Sequence, residues 1–254
     1  MDTPGPRHKS IYLLPNMITT ASLFAGFLGI VLALEGATES AALSILFAAL
    51  MDGLDGKVAR LTNTASEFDI QYDSLADLVA FGVAPAVLMW QWQLGAYGRL
   101  GMAAAFIFVA CGALRLARFN ISASITSKKF FIGLPIPAAA CTVSALVYFM
   151  LYVPEGMLRF VPGFCLGLTV ILGILMVSRV RYYSFKEYGF LRAHPFSSMV
   201  TFLLLFALLV SLPKLLGLVL ALGYVVAGLA YTFIMLPHRN RELLRSLALR
   251  NDQP

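Results

Sequence analysis

The chain has 254 residues, of which 59% are hydrophobic and only 13% are charged, and its mean hydropathy is +0.82. This composition excludes an ordinary soluble domain and indicates a protein of the lipid bilayer. The net charge of +6 falls in short clusters between apolar runs, whereas a nucleic-acid-binding surface needs basic residues spread over a polar face, so we expect no nucleic-acid partner. Cys111, Cys141 and Cys165 lie in apolar segments without paired spacing, which is typical of small core residues.

Eight apolar runs follow one another along the chain, and most approach the length that a helix needs to cross about 30 Å of hydrocarbon. The first run follows polar and basic residues, but Asn16 and Thr19 interrupt its start and no small-residue cleavage motif follows, so we expect a retained helix rather than a signal peptide. The seventh and eighth runs are separated only by Pro213 and Lys214, and a re-entrant hairpin is the alternative there. The runs cover about Ile11–Leu34, Ala41–Val58, Ile70–Trp92, Leu100–Phe119, Leu134–Val153, Met157–Val177, Phe196–Leu212 and Leu215–Leu236.

The distribution of basic residues predicts how these runs are oriented. With the N-terminus in the cytoplasm, sixteen Lys and Arg residues fall on the cytoplasmic side, and only Arg99, Arg159 and Lys214 fall opposite. This agrees with the positive-inside rule and with an even number of spans. The sequence therefore predicts an all-α integral membrane protein, a polytopic helical bundle of about eight transmembrane helices. Both termini are predicted to be cytoplasmic, and residues 1–254 to form one membrane domain.

The stretch from Asp52 to Asp77 concentrates acids inside segments that otherwise resemble membrane helix. It holds six of the thirteen acidic residues, and five of these six are aspartates: Asp52, Asp55, Asp69, Asp73 and Asp77. On a helix the first two lie one turn apart, and the other three share one face at i, i+4, i+8. An aspartate at the bilayer centre costs roughly 2.5 to 3.5 kcal/mol, so the sequence predicts a cation among these carboxylates. Oxygen ligands without nearby His or Cys favour Mg²⁺ or Mn²⁺ over zinc.

Other interpretations of these acids stay open at this point. They pair with Lys57 and Arg60, or they lie in a solvated loop. Ionisable residues within a membrane are rarely tolerated without a function, which favours a functional site. Outside the enzymes, the rival hypothesis is an acidic-lined membrane transporter. It predicts acids at several membrane depths, whereas these crowd at one end of the second and third runs.

The spacing of the acids carries a family resemblance. The chain fits D-x-x-D-G-x-x-A-R followed by D-x-x-x-D at seven positions: Asp52, Asp55, Gly56, Ala59, Arg60, Asp73 and Asp77. This pattern resembles the signature of the CDP-alcohol phosphotransferases. In that family a Gly usually stands four residues before the third Asp, where this chain has Asp69. The resemblance implies a six-helix family core plus two helices, with a catalytic core over residues 1–180. Residues 181–254 then supply an interfacial loop, two extra spans and a basic tail.

The resemblance also implies a chemistry and a set of roles. The substrate is a CDP-linked lipid: an alcohol attacks the phosphorus that carries the lipid, and CMP leaves. Two divalent cations, Mg²⁺ or Mn²⁺, are the implied cofactors. By resemblance, the metal ligands are Asp52, Asp55, Asp73 and Asp77, and Asp77 is also the general base on the acceptor hydroxyl. The residues that bind the CDP-lipid are, by the same resemblance, Asn16, Thr19, Asp52, Gly56, Ala59 and Arg60. A homodimer is implied as well.

Three further blocks narrow the acceptor alcohol. SLADLVAFGVAPA, ALRLARFN and FFIGLPIPAAA are similar to blocks of bacterial and archaeal family members that use L-serine. This implies CDP-diacylglycerol and L-serine as substrates, in the inner (cytoplasmic) membrane of a prokaryotic cell, with the site facing the cytoplasm. Arg115 and Arg118 are the candidate cations for the serine carboxylate or a substrate phosphate, and snorkelling at a helix end is their alternative role. Glycerol 3-phosphate or inositol phosphate is the alternative acceptor, and each requires a larger basic pocket.

Overall fold

The fold is that of a computed structural model, which describes residues 13–62, 67–122, 130–150, 155–183 and 213–235. These residues are mostly helical, as the apolar runs predict. The α-helices are α1 (Leu13–Leu34), α2 (Thr38–Thr62), α3 (Glu67–Asp77), α4 (Ala84–Trp92), α5 (Arg99–Ser122), α6 (Ile136–Phe149), α7 (Val161–Val177) and α8 (Pro213–Ala230). Shorter segments are π-helical at Leu78–Val83 and Tyr231–Met235 and 3₁₀-helical at Leu94–Tyr97 and Glu155–Phe160.

The described residues form two compact units. The first contains α1 to α7, and the second contains α8 together with two short strands, β1 (Phe130–Ile132) and β2 (Arg181–Tyr183). The predicted division into a catalytic core over residues 1–180 and a C-terminal part over residues 181–254 stays a prediction.

In the first unit, α1 packs along α2, α5 packs on α7, and α2 also packs on α6. The π-helical segment Leu78–Val83 joins α3 to α4, so the run predicted at Ile70–Trp92 is one helical stretch, Glu67–Trp92. This segment contacts α1, α2, α5 and α6, and its residues Ala80 and Phe81 are buried. It therefore lies at the centre of the unit, immediately after Asp77.

Helix α1 approaches its neighbours closely because it presents small residues to them. A Cβ atom added to Gly26 would lie 2.5 Å from the Cα atom of Ala80 in the π-helical segment. The Ser44 hydroxyl of α2 donates a hydrogen bond to the carbonyl oxygen of Ala25 in α1 (2.7 Å). Small residues and interhelical hydrogen bonds are the usual means by which apolar helices associate in lipid.

The outer surface of the described helices is apolar. Phe24 of α1 and Phe106 of α5 are 63% and 69% exposed, and such surfaces are stable in contact with lipid. Within the described residues, three helical stretches are long and apolar enough to cross a bilayer: Asn16–Leu34, Glu67–Trp92 and Arg99–Ile121. Shorter apolar helices cover Ile136–Phe149, Val161–Val177 and Gly217–Phe233. A membrane protein built from helices agrees with the prediction. The count of eight spans and the side of each terminus stay predictions, because the seventh run, Phe196–Leu212, lies outside the described residues.

In the second unit, β1 and β2 form an antiparallel pair in which Phe131 lies opposite Tyr182. The backbone N–H of Gly133 donates to the carbonyl oxygen of Val180 (2.8 Å), and Gly133 has a φ of +83°, which glycine adopts without strain. The Tyr182 ring lies against Gly228 of α8, where a Cβ atom would collide with it. The all-α prediction missed this pair, because strands of three residues leave no readable hydrophobic periodicity.

Candidate active site

The C-terminal half of α2 supplies the first two acids, Asp52 and Asp55. Asp55 is 7% exposed, and the Thr19 hydroxyl of α1 donates a hydrogen bond to its Oδ2 atom. Its other oxygen, Oδ1, is buried without a hydrogen-bond partner among the described residues. A buried acceptor left in this way costs roughly 1–3 kcal/mol, and more when it is charged. The Asp55 environment therefore favours an additional cation or donor at Oδ1.

Helix α3 brings two further acids to Asp52. Asp73 and Asp77 stand four residues apart and project from one face of α3. One carboxylate oxygen from each of Asp52, Asp73 and Asp77 lies within 4.8 Å of the other two. Asp69, which the periodicity places on the same face, is not part of this group. Three carboxylates at this separation repel one another strongly in surroundings of low dielectric, so their convergence requires positive charge nearby.

This donor set fits a metal ion. The group of three offers only carboxylate oxygens, which are hard ligands. Asp55 adds a buried oxygen that has no other partner among the described residues. The structure therefore brings together acids that the sequence singles out as metal ligands, with Asp52, Asp73 and Asp77 closest to one another and Asp55 held beside Thr19.

The two candidate cations, Arg115 and Arg118, have different surroundings. Arg115 is 8% exposed, its charge interacts with the Asp77 carboxylate, and its guanidinium lies 5.8 Å from the centre of the Phe119 ring. Arg118 is exposed and donates from Nη1 to the carbonyl oxygen of Val177, at the end of α7 (3.2 Å). The structure thus brings the charge of Arg115 close enough to act on Asp77, whereas Arg118 interacts with the negative end of a helix.

The residues predicted to bind a CDP-lipid lie on α1 and α2. Thr19 is buried and joined to Asp55, and Asn16 is partly buried one turn earlier on α1. Gly56, Ala59 and Arg60 belong to the last turns of α2. The side chains of these three residues lie outside the described part of the structure.

Two polar contacts beside the acids were not predicted from the sequence. The hydroxyls of Thr20 and Tyr72 share a hydrogen bond of 2.8 Å, and the Asn120 amide donates to the Ser74 hydroxyl at 2.9 Å. Tyr72 and Ser74 directly flank Asp73 in the sequence. This position next to Asp73 could have predicted the two contacts, because a polar side chain in an apolar helix needs a hydrogen-bond partner.

An apolar helical bundle with converging carboxylates is a membrane protein with a candidate metal centre. The family model of the CDP-alcohol phosphatidyltransferases matches residues 12–180, which include α1 to α7 and all the acids described above. The chain therefore belongs to the CDP-alcohol phosphatidyltransferase family, and the resemblance based on the Asp pattern is confirmed.

Individual relatives share most of this region. The chain is 45% identical over 181 residues to the CDP-diacylglycerol–serine O-phosphatidyltransferase of Helicobacter pylori strain J99. This match covers 70% of this chain and 74% of that protein. It is 37% identical over 174 residues to the protein of the same name from Methanocaldococcus jannaschii, covering 68% and 75%. It is 34% identical over 175 residues to the archaetidylserine synthase of Methanothermobacter thermautotrophicus, covering 68% and 70%. Serine appears in all three names.

Proposed function

We propose that this protein transfers the phosphatidyl group of CDP-diacylglycerol to the hydroxyl of L-serine, giving phosphatidylserine and CMP. The observation that carries the proposal is the similarity to enzymes whose names specify this reaction, at up to 45% identity over 181 residues, together with the family model that matches residues 12–180. The Asp cluster lies within that region and provides a physical basis for the reaction, because diphosphate chemistry needs concentrated positive charge.

Two divalent cations, Mg²⁺ or Mn²⁺, are the proposed cofactors. The proposed ligands are Asp52, Asp55, Asp73 and Asp77. Three of these carboxylates converge, and the buried Oδ1 atom of Asp55 has no hydrogen-bond partner in the described part of the chain, which supports this set. Bound there, divalent cations neutralise the diphosphate and polarise the phosphorus under attack.

The chain's own residues carry the proton and orient the acceptor. Asp77 is the proposed general base: a carboxylate oxygen takes the serine hydroxyl proton as the serine oxygen bonds to the phosphorus that carries the lipid. The bond from that phosphorus to the oxygen of CMP breaks, and CMP leaves. Arg115, which interacts with Asp77, is the proposed partner of the serine carboxylate or of a substrate phosphate. Arg118 is the second candidate for this role.

The CDP-lipid is proposed to lie along α1 and the end of α2. Thr19 connects the two helices at this point by donating to Asp55, and Asn16 offers an amide one turn away. Gly56 has no side chain and Ala59 has only a methyl group, so both let a cytosine ring approach the backbone. Arg60 supplies a charge for a phosphate.

The proposed location is the inner membrane of a prokaryotic cell, with the site at the cytoplasmic face and the protein as a homodimer. Exposed apolar side chains on α1 and α5 support the membrane assignment. A site at the cytoplasmic face lets serine enter from water and CMP leave into it while the acyl chains stay in the bilayer. The excess of Lys and Arg on the same predicted side supports that orientation.

A phosphorylated acceptor, glycerol 3-phosphate or inositol phosphate, is the alternative substrate for the same chemistry. Its extra phosphate needs more positive charge than serine does. In the described part of the chain, Arg115 is the buried basic side chain, which favours serine. The transport hypothesis is not favoured, because Asp52, Asp73 and Asp77 converge at one place instead of following a path.

The acceptor is tested by CMP release from CDP-diacylglycerol in detergent micelles, with Mg²⁺ or Mn²⁺ present and L-serine, glycerol 3-phosphate or inositol phosphate as sole acceptor. We expect release with serine alone and complete loss of release after chelation of the divalent cations. Preference for a phosphorylated acceptor would overturn the serine assignment. If none of the three acceptors supports metal-dependent CMP release, the proposed enzymatic activity is refuted.

The role of Asp77 is tested by Asp77→Asn. We expect the rate of CMP release to fall at least about a hundredfold, since the amide cannot take the hydroxyl proton. Glu39→Gln is the matched control, because it makes the same carboxylate-to-amide change in the first turn of α2, far along the helix from Asp52. Retention of most of the activity by Asp77→Asn would show that another group accepts the proton.

A further inference from the structure

We propose that Asn120 and Ser74 form a clamp between α5 and α3 that positions Arg115 beside Asp77 for binding of the acceptor. This inference rests on the proposed function and adds a positioning pair to it. The clamp is defined by these two side chains, which stand near the C-terminus of α5 and in the middle of α3.

The hydrogen bonds of Ser74 are arranged so that its hydroxyl connects the two helices. Its oxygen accepts from Nδ2 of Asn120 (2.9 Å), and its proton is donated to the Ile70 carbonyl one turn earlier in α3 (3.0 Å). Both side chains are partly buried. A partly buried interhelical hydrogen bond of this kind favours one register of the two helices.

The clamp lies close in sequence to the groups that it would position. Ser74 directly follows Asp73 and precedes Asp77 by three residues. Asn120 directly follows Phe119, whose ring lies beside the Arg115 guanidinium. Helix α5 also packs against Leu78–Val83, immediately after Asp77. A slide or rotation of α5 relative to α3 would therefore change the distance between Arg115 and Asp77.

The geometry of α5 assigns Asn120 to positioning and not to contact with substrate. Asn120 stands five positions after Arg115, which places the two residues about 140° apart around the helix. The charge of Arg115 acts on Asp77, whereas the Asn120 amide, on a different side of α5, is engaged with Ser74. The proposed effect therefore passes through the orientation of α5.

The test is steady-state CMP release by Asn120→Ala, Ser74→Ala and the double variant, in metal-loaded full-length protein with serine and CDP-diacylglycerol varied separately. We expect each single variant to raise the KM for serine about three- to tenfold, which is the range of an interhelical hydrogen bond in a membrane protein. The KM for CDP-diacylglycerol should stay within about twofold. The double variant should resemble the singles, because both remove one interaction.

Ser74→Thr and Ser44→Ala separate positioning from general stability. Ser74→Thr keeps the hydroxyl, so its KM for serine should equal that of the wild type. Ser44→Ala removes an interhelical hydrogen bond between α1 and α2 and should leave the serine KM unchanged even where it lowers the melting temperature.

Each remaining outcome overturns the clamp. An unchanged serine KM in both single variants does so directly, and so do equal changes in both KM values, which indicate general loosening. Should Asn120→Ala fail to fold, Ser74→Ala and Ser74→Thr decide the matter alone. A wild-type protein that releases no CMP with serine would refute the proposed function, and the clamp with it, before any variant is compared.

Discussion

Asp55 illustrates, at the scale of one residue, how a carboxylate is kept inside an apolar helical bundle. Thr19 satisfies one of its oxygens, and the other is buried without a partner among the described residues. A fully satisfied carboxylate would serve structure alone, whereas one with a buried unpaired oxygen retains the capacity to bind a cation. Thr19 therefore orients Asp55 through one carboxylate oxygen and leaves the other, Oδ1, able to bind a cation.

We expect Thr19→Val to raise the KM for CDP-diacylglycerol about tenfold. Valine has nearly the same shape but cannot donate, and a hydrogen bond to a charged group contributes roughly 1.5–3 kcal/mol. Thr19→Ser keeps the hydroxyl and is the matched control, with a KM close to that of the wild type. The measurement is CMP release against CDP-diacylglycerol concentration in mixed micelles. Indistinguishable KM values for the valine and serine variants would contradict this role.

The sequence predicted which residue types matter near the site but not their surroundings. Arg115 and Arg118 have the same spacing in a helix whichever way that helix is rotated, so the sequence treats them alike. Their difference in burial comes from how α5 packs on α7 and on Leu78–Val83. Such packing depends on side chains distant in sequence, which no local pattern contains.

At the scale of elements, the contact between α1 and the π-helical segment fixes the helix that carries Asp73 and Asp77. Gly26 leaves no room for a Cβ atom against Ala80, and Ala80 stands three residues after Asp77. A π-helical turn widens the backbone locally, and such turns are frequent at functional sites. Helix α1 therefore supports the end of α3 as well as supplying Thr19.

We expect Gly26→Ala to destabilise the protein by about 1–3 kcal/mol, because the added methyl group would force α1 away from a buried backbone. Gly223→Ala on α8 is the matched control: a Cβ atom there meets nothing within 4 Å, so the change should be neutral or slightly stabilising. Thermal unfolding in detergent compares the two. Equal melting temperatures for the two variants would show that α1 accommodates the methyl group by a small shift.

The apolar runs predicted the elements well where a run is long and uniform. The run Leu100–Phe119 corresponds to α5, Arg99–Ser122. The run Leu134–Val153 contains α6, which begins two residues later, at Ile136, and hydrophobicity alone does not mark where a helix begins. The π-helical segment left no signal, because its residues LVAFGV are as apolar as those of an α-helix.

For the whole molecule, the sequence predicted that the acids act together because the i, i+3 and i, i+4 spacings hold for any helix. It did not predict that Asp52 of α2 converges with Asp73 and Asp77 of α3 while Asp69 lies outside that group. That arrangement follows from the packing of α1 on both α2 and α3. From the sequence, only the family resemblance assigned the acids of α2 and the acids of α3 to one site.

The orientation of the whole chain is the last prediction. Sixteen basic residues against three predict that both termini are cytoplasmic, and this holds with eight spans or with a re-entrant hairpin at Pro213 and Lys214. We expect alkaline phosphatase to be inactive when fused after Pro254 and active when fused in the predicted outer connection at Gly36. A membrane-impermeant maleimide distinguishes the two forms: it labels Lys214→Cys from outside only when both final runs span the bilayer. An active fusion after Pro254 would refute the predicted orientation, because it requires an odd number of spans or an inverted chain.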